Sequence, residues 1–207
     1  MGTTAVASRE IGRPRLFKDE AIFSATARVL ARVGHEHMTV SAIAGEVGCS
    51  APALVQRFGS KHALLKQFME WSNARVIDRF EQARVTNRSP LAALRSRLNM
   101  PSDQWLDEVS DPGNHANILA FYLVAWGDPT LGPIVERRRE ILQTEFHDLL
   151  VQAGEAGELG ECDERLLAEM LLTAFTGVAL QWIGRDDEVM EKRMGQYFDV
   201  LIGPYRL

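Results

Sequence analysis

The stretch Thr39–Leu65, TVSAIAGEVGCSAPALVQRFGSKHALL, constrains the fold more than any other part of the chain. Thr39 or Ser41 supplies a side-chain oxygen that can accept from free N–H groups of a first helical turn. Small and apolar residues come next at helical spacing (Val40, Ile43, Ala44, Val47), and Gly48 then offers a left-handed turn. Ser50 opens a second helix, with Pro52 just inside its start, where a missing N–H costs nothing. That helix is short, Ala51 to about Phe58, and Gly59-Ser60 both ends it and caps a third. Two short helices across a tight glycine turn form a helix-turn-helix layout. Ala44 allows close helix approach and Leu54 plugs the angle between the two helices.

The rest of the chain reads as helical, with no alternating strand pattern. A first helix from about Lys18 to Val33 carries Ile22, Phe23, Ala27, Leu30 and Val33 on one face, and Gly34 ends it as a left-handed cap. A helix from Lys61 to about Arg84 is long enough, at roughly 36 Å, to run from the helix-turn-helix into a second domain. Beyond it, segments near 90–99 and 102–110 stop at Asp111-Pro112-Gly113. Helices are expected over 114–126, 130–154, 164–184 and 187–201. The helix at 114–126 is apolar nearly all round and is expected to be buried.

Charge divides along the same line. The chain carries −5 overall, but residues 1–66 hold nine Lys/Arg against five acids, a net of +4, leaving −9 for the remainder. A basic module that meets phosphate, joined to an acidic one that does not, explains the split. No apolar run reaches the ~18–20 residues of a membrane span, and the N-terminus lacks the apolar stretch of a secretory signal. Cys49 and Cys162 are the two cysteines and share no CxxC spacing. A cytoplasmic protein with reduced thiols is the simplest account. His35 and His37 flank Glu36 without the convergence a metal site needs. No cofactor is implied.

These residues resemble the DNA-binding domain of the tetracycline-repressor (TetR) family of bacterial transcription regulators. The family's motif is similar to Thr39-Val40-Ser41-Ala42-Ile43-Ala44, Val47-Gly48-Cys49-Ser50, Leu54-Val55-Gln56-Arg57-Phe58 and Gly59-Ser60-Lys61 before Ala63-Leu64-Leu65. Val55 stands where the family has a phosphate-contacting tyrosine, so that contact does not carry over. The resemblance implies an all-α chain: a basic arm (1–16), a three-helix DNA-binding domain (17–62) and a larger helical domain for ligand binding and dimerisation (63–207).

In such a domain, Ser50, Ala51, Ala53, Gln56 and Arg57 face a major groove while Leu54 and Phe58 point inward. Gln can pair with adenine and Arg with guanine, each adding about 1–3 kcal/mol of discrimination. Thr39 and Lys61 sit at helix starts, where Lys61 is expected to clamp a phosphate. Arg13 and Arg15, in Gly12-Arg13-Pro14-Arg15, suit a narrow minor groove. A homodimer through the helices at 130–154 and 164–184 is expected to read a palindromic operator on double-stranded DNA.

The resemblance further implies a small apolar effector whose binding weakens operator affinity, as in a repressor. Trp105, His115, Phe121, Tyr122, Trp126, Phe146, Met170, Phe175 and Gln181 are candidates to line its pocket, though the same residues suit any helical core. Two other classes compete: an architectural DNA-binding protein without a ligand, and a helical enzyme or small-molecule binder. Against an enzyme, no HExxH, GxSxG, P-loop or dinucleotide fingerprint occurs.

Overall fold

The computed structural model describes residues 17–99, 112–183 and 190–207. The arm at 1–16, the segment at 102–110, Trp105 and the expected start of the last helix at 187 lie outside them. The described residues form α1 (Asp19–His37), α2 (Val40–Val47), α3 (Ala51–Phe58), α4 (Lys61–Thr86), α5 (Pro90–Asn99), α6 (Pro112–Trp126), α7 (Gly132–Glu155), α8 (Glu164–Trp182) and α9 (Met190–Ile202). A closing 3-10 turn spans Gly203–Tyr205, and no strand occurs among them beyond the single bridge Leu159–Arg206.

The helix starts are set by local side chains. Thr39 Oγ1 accepts from Ala42 N at 3.1 Å, Ser60 Oγ from Ala63 N at 3.0 Å, and Asp163 Oδ1 from Leu166 N at 2.9 Å. Gly48 takes φ 81°, and both its N–H and that of Cys49 bond the Ala44 carbonyl at 2.9 Å, closing α2 with a Schellman turn. α1 is broken at Gly34 (φ 73°, ψ 165°), and one further turn intervenes before Met38. This conformation belongs almost solely to glycine. Space also requires it, because a Cβ here would lie 3.0 Å from Asn117 Oδ1.

Two buried clusters organise the molecule. The first combines α1–α3 and the start of α4 (Leu64, Leu65, Phe68, Met69) with Ile118, Phe121 and Ala125 of α6 and with Leu131 and Val135. The second joins Val76, Phe80 and Ala83 of α4 to α5, α7, α8 and α9. α4 therefore belongs to both, one half in each. At the crossover Ser72 and Asn73 are buried, receive Arg138 of α7 at 3.2 and 3.5 Å, and Asn73 Nδ2 donates to the Ile134 carbonyl at 2.9 Å.

α6 differs from its expected burial. It packs more extensively on α1 than any other helix does, yet Leu123, Val124 and Trp126 on its other side stay exposed. α7 also differs. Its inner face contacts α4, α5 and α8, and its outward residues Arg137, Arg139 and Glu140 are charged and exposed. Further exposed apolar side chains lie on α8 and α9: Leu166, Met170, Leu180, Tyr197 and Val200.

Candidate nucleic-acid interface

α3 divides as its periodicity requires. Leu54 and Phe58 are buried, and Phe58 packs on Phe23 of α1 with ring centres 5.9 Å apart. Ser50, Ala53, Val55 and Gln56 are exposed, and Ala51 is half-buried against the first cluster. Ser50 Oγ accepts from Ala53 N at 3.4 Å, so its hydroxyl serves the helix start while its outer edge stays accessible. Thr39 is exposed and likewise caps its own helix. The helix thus offers Gln56 as its one long, freely directed polar side chain on the outer face, flanked by small residues that permit close approach.

The two cations expected on this surface have partners inside the domain. The Arg57 guanidinium donates to the Phe17 carbonyl oxygen at 2.8 Å and pairs with Asp19 at the start of α1. Lys61 Nζ donates to the His35 carbonyl oxygen at 2.8 Å, and burial pushes its pKa below the usual lysine value. The break at Gly34 leaves carbonyls at the end of α1 without helical partners. Lys61 satisfies one, and Asn117 Nδ2 satisfies another, that of Ala31, at 2.7 Å. Arg57 and Lys61 thus hold α3 and α4 to the two ends of α1. Sequence spacing carried no sign of this, since the partners lie 40 and 26 residues away.

Other residues that orient the unit also escaped sequence reasoning. Glu46 of α2 accepts from Arg28 at 3.0 Å and Arg32 at 3.1 Å, fastening α2 across α1. The hydrogen bonds from Arg28 and then Arg32 hold its carboxyl below the usual range. Asp128, between α6 and α7, caps α7 through Oδ1, which accepts from Thr130 N at 2.7 Å and Leu131 N at 2.9 Å. Its Oδ2 meets His62 Nε2 at 3.1 Å. Those backbone bonds, led by Leu131, lower its pKa.

The expected pocket residues are dispersed. Phe121 is in the first core and stacks near His35, with ring centres 6.0 Å apart. Phe146 is in the second core, 5.8 Å from Phe80. Phe175 lies at that core's edge, while Met170 and Gln181 are exposed. Tyr122 lies under Arg138, whose guanidinium is 5.4 Å from its ring centre. His115 meets Trp182 edge-on at 5.4 Å, its Nε2 buried without a hydrogen-bond partner among the described residues. Burial pushes its pKa down. Only Trp126 of the set lines the groove of about 770 Å³ between α7 and α8. Val135, Arg138, Leu142, Leu172 and Leu180 also line it. Among the described residues no three His, Cys, Asp or Glu side chains converge as metal ligands, and no helix is long and apolar enough to cross a membrane.

A capped helix-turn-helix joined by one long helix to a helical bundle is an arrangement suited to DNA binding. Residues 22–68 match the family model of bacterial regulatory proteins, tetR family. That match covers the helix-turn-helix and the start of α4; over the whole chain the likeness is one of fold.

The fold is shared with a TetR transcription regulator from Haloarcula marismortui (TM-score 0.75, 20% identity, 91% of this chain and 98% of that one). It is shared also with a TetR-family regulator from Rhodococcus sp. (0.69, 20%, 89% and 98%). A third similar structure is the transcriptional regulator FadR from Bacillus subtilis in complex with stearoyl-CoA (0.69, 17%, 89% and 98%). No curated protein sequence matches the chain.

Proposed function

We propose that the protein is a homodimeric transcriptional repressor that reads a palindromic operator and is released by a small, largely apolar effector. The observation that carries the reading is the outer face of α3: Ser50, Ala53 and Gln56 held outward, with half-buried Ala51 at their edge, on a helix whose inner face is anchored by Leu54 and Phe58. Arg13 and Arg15 supply minor-groove contact from the arm 1–16, and Thr39 lies beside the backbone. Lys61 acts mainly by holding α4 to α1. The working division is 17–62 for DNA and 63–207 for dimerisation and effector, within a cytoplasmic protein.

One short recognition helix reads too few bases alone, and a two-fold copy places the second helix about 34–36 Å away. The exposed apolar residues of α8 and α9 support that pairing, with α8 at its centre between α9 and the α7 partner expected from sequence. The groove between α7 and α8 supports an effector site, and the stearoyl-CoA of the Bacillus subtilis neighbour makes amphipathic ligands the first to screen.

The test is fluorescence anisotropy with a palindrome selected from random duplex, against non-specific duplex, at two salt concentrations. Selective binding is expected to weaken steeply with salt, because phosphate contacts release counterions. Equal affinity for both duplexes would support an architectural protein instead.

A further inference from the structure

α8 carries a stripe that the described residues of its own chain leave open. Its inner face, with Leu167, Ala168, Leu171, Val178 and Ala179, is buried. On the other side Leu166, Met170, Thr173, Gly177 and Leu180 follow one another at alternating steps of four and three residues. Such a repeat keeps one seam of a helix turned toward a partner helix. Leu166, Met170 and Leu180 are 53%, 44% and 57% exposed, and a Cβ placed on Gly177 would meet nothing within 4 Å.

The stripe complements itself when a second copy runs antiparallel to it about Thr173. Leu166 then faces Leu180, and the long Met170 side chain lies over Gly177, the one seam position without a side chain. Charge favours the same direction. Glu164, Arg165 and Glu169 are the charged residues of α8 and all lie in its first half, so they face the uncharged half of the copy. A parallel pair would set each against itself. The antiparallel contact is two-fold and isologous.

The seam also borders the groove between α7 and α8, because Thr173, Gly177 and Leu180 line both. The apolar lining of the groove includes Val135, Leu142 and Leu172, and its polar side chains bond one another. Arg139 Nη1 donates to Gln143 Oε1 at 3.1 Å, and Gln143 Nε2 donates to Glu169 Oε1 at 3.0 Å. This lining suits an apolar ligand, yet Trp126 and Leu180 within it are more than half exposed. Small-molecule sites enclose about 70–90% of their ligand. One protomer therefore supplies only part of an enclosure.

We infer that the groove is half of a composite effector site, closed by α8 of a second copy, with Leu166 and Met170 of that copy as its outer wall. An apolar ligand held there touches both protomers. It binds the dimer rather than the monomer, strengthens the dimer by mass action, and acts on the seam that sets the spacing of the two recognition helices. The inference rests on the dimer and effector readings above.

The test uses the full chain with Trp126 as reporter, its acrylamide quenching taken as the difference between wild type and Trp126→Phe. That quenching is expected to fall by about half from monomer to dimer, across a dilution series followed by light scattering. Met170 does not line the groove of its own protomer, so Met170→Glu reaches Trp126 only through the second copy. The variant is expected to keep its helicity, to dimerise about tenfold more weakly, and to regain the quenching at concentrations where wild type is dimeric. A spin-labelled stearate, which quenches nearby tryptophan, is expected to reach Trp126 in the wild-type dimer and not in the monomeric variant.

Equal acrylamide quenching of Trp126 in monomer and dimer would overturn the inference, as would stearate quenching that survives in the monomeric variant. Trp126 shielded from both quenchers in the dimer would show the groove filled by the second copy, and the composite site would fall. A wild type monomeric at every concentration would instead remove the dimer reading on which it rests.

Discussion

The two cores of this protein use the same apolar side chains but are specified differently. The first is built around the short α2 and α3 and the broken α1, with turns closed by their own signals: among the described residues three of the four positive-φ glycines, Gly34, Gly48 and Gly59, fall within it, and Gly157 lies elsewhere. The second rests chiefly on the long α7 and α8 and the second half of α4, joined face to face with α5 and α9. Punctuation is a local property, so the first core's connectivity is fixed by neighbouring residues. Face pairing is a contest among many apolar surfaces, and its outcome depends on all of them together. α6 shows the difference. Its residues alone do not indicate whether α1 or the later helices will receive its apolar side, and it goes to α1.

That comparison is most sharply broken at Phe121, an α6 residue 1% exposed within the first core. Phe121→Ala is expected to cost about 3–5 kcal/mol and to speed amide exchange in α1 before α8. Exchange rising first in α8 and α9 would return α6 to the second core. Next in size, Met170→Glu with Val200→Glu places charge on exposed apolar positions of α8 and α9. Light scattering is expected to show a dimer weakened by about 2 kcal/mol or more, roughly 30-fold, with helicity unchanged. A variant still dimeric at low micromolar concentration would exclude this face.

Glycines compare the regions directly. Gly34→Ala meets both a forbidden backbone and Asn117 Oδ1 at 3.0 Å, whereas a Cβ on Gly157 meets nothing within 4 Å. Urea denaturation is expected to give about 1–3 kcal/mol of destabilisation, with Gly34 at the upper end and Gly157 at the lower. Equal losses would mean that the α1–α6 contact adds nothing.

The smallest effect is on pH dependence. Glu46 in the first region and Asp199, paired with Arg95, in the second both have lowered pKa values through their arginines. A carboxyl whose folded pKa is depressed contributes stability that is complete above its unfolded pKa, about 4, and is lost as pH falls through the folded value. Melting curves from pH 7 to pH 3 are expected to fall less steeply for Glu46→Gln than for wild type, and likewise for Asp199→Asn. Identical slopes for wild type and both variants would show these exposed pairs to be energetically idle.

The helix-turn-helix was legible in Thr39–Leu65 residue by residue, as was the split of α3 into Leu54 and Phe58 inward and Gln56 outward. The start of α4 at Lys61 and the turn at Gly34 were legible as well. The candidate pocket was not. Aromatic side chains such as Phe121 and Phe146 are equally at home in a core or a cavity, and both lie in a core, while Arg138, which lines the groove, carried no recognisable signal.

By itself, the sequence determined the order of the helices, their stops and the basic character of the first module, because caps, glycines and prolines act over a turn or less. The tertiary structure alone decided that Arg57 and Lys61 would hold α1 rather than project freely. It also decided that α6 would cover α1, and that α8 and α9 would carry exposed apolar side chains where α7 exposes charged ones. A charged side chain goes to the nearest satisfied partner in space, and that partner is set by how distant segments pack.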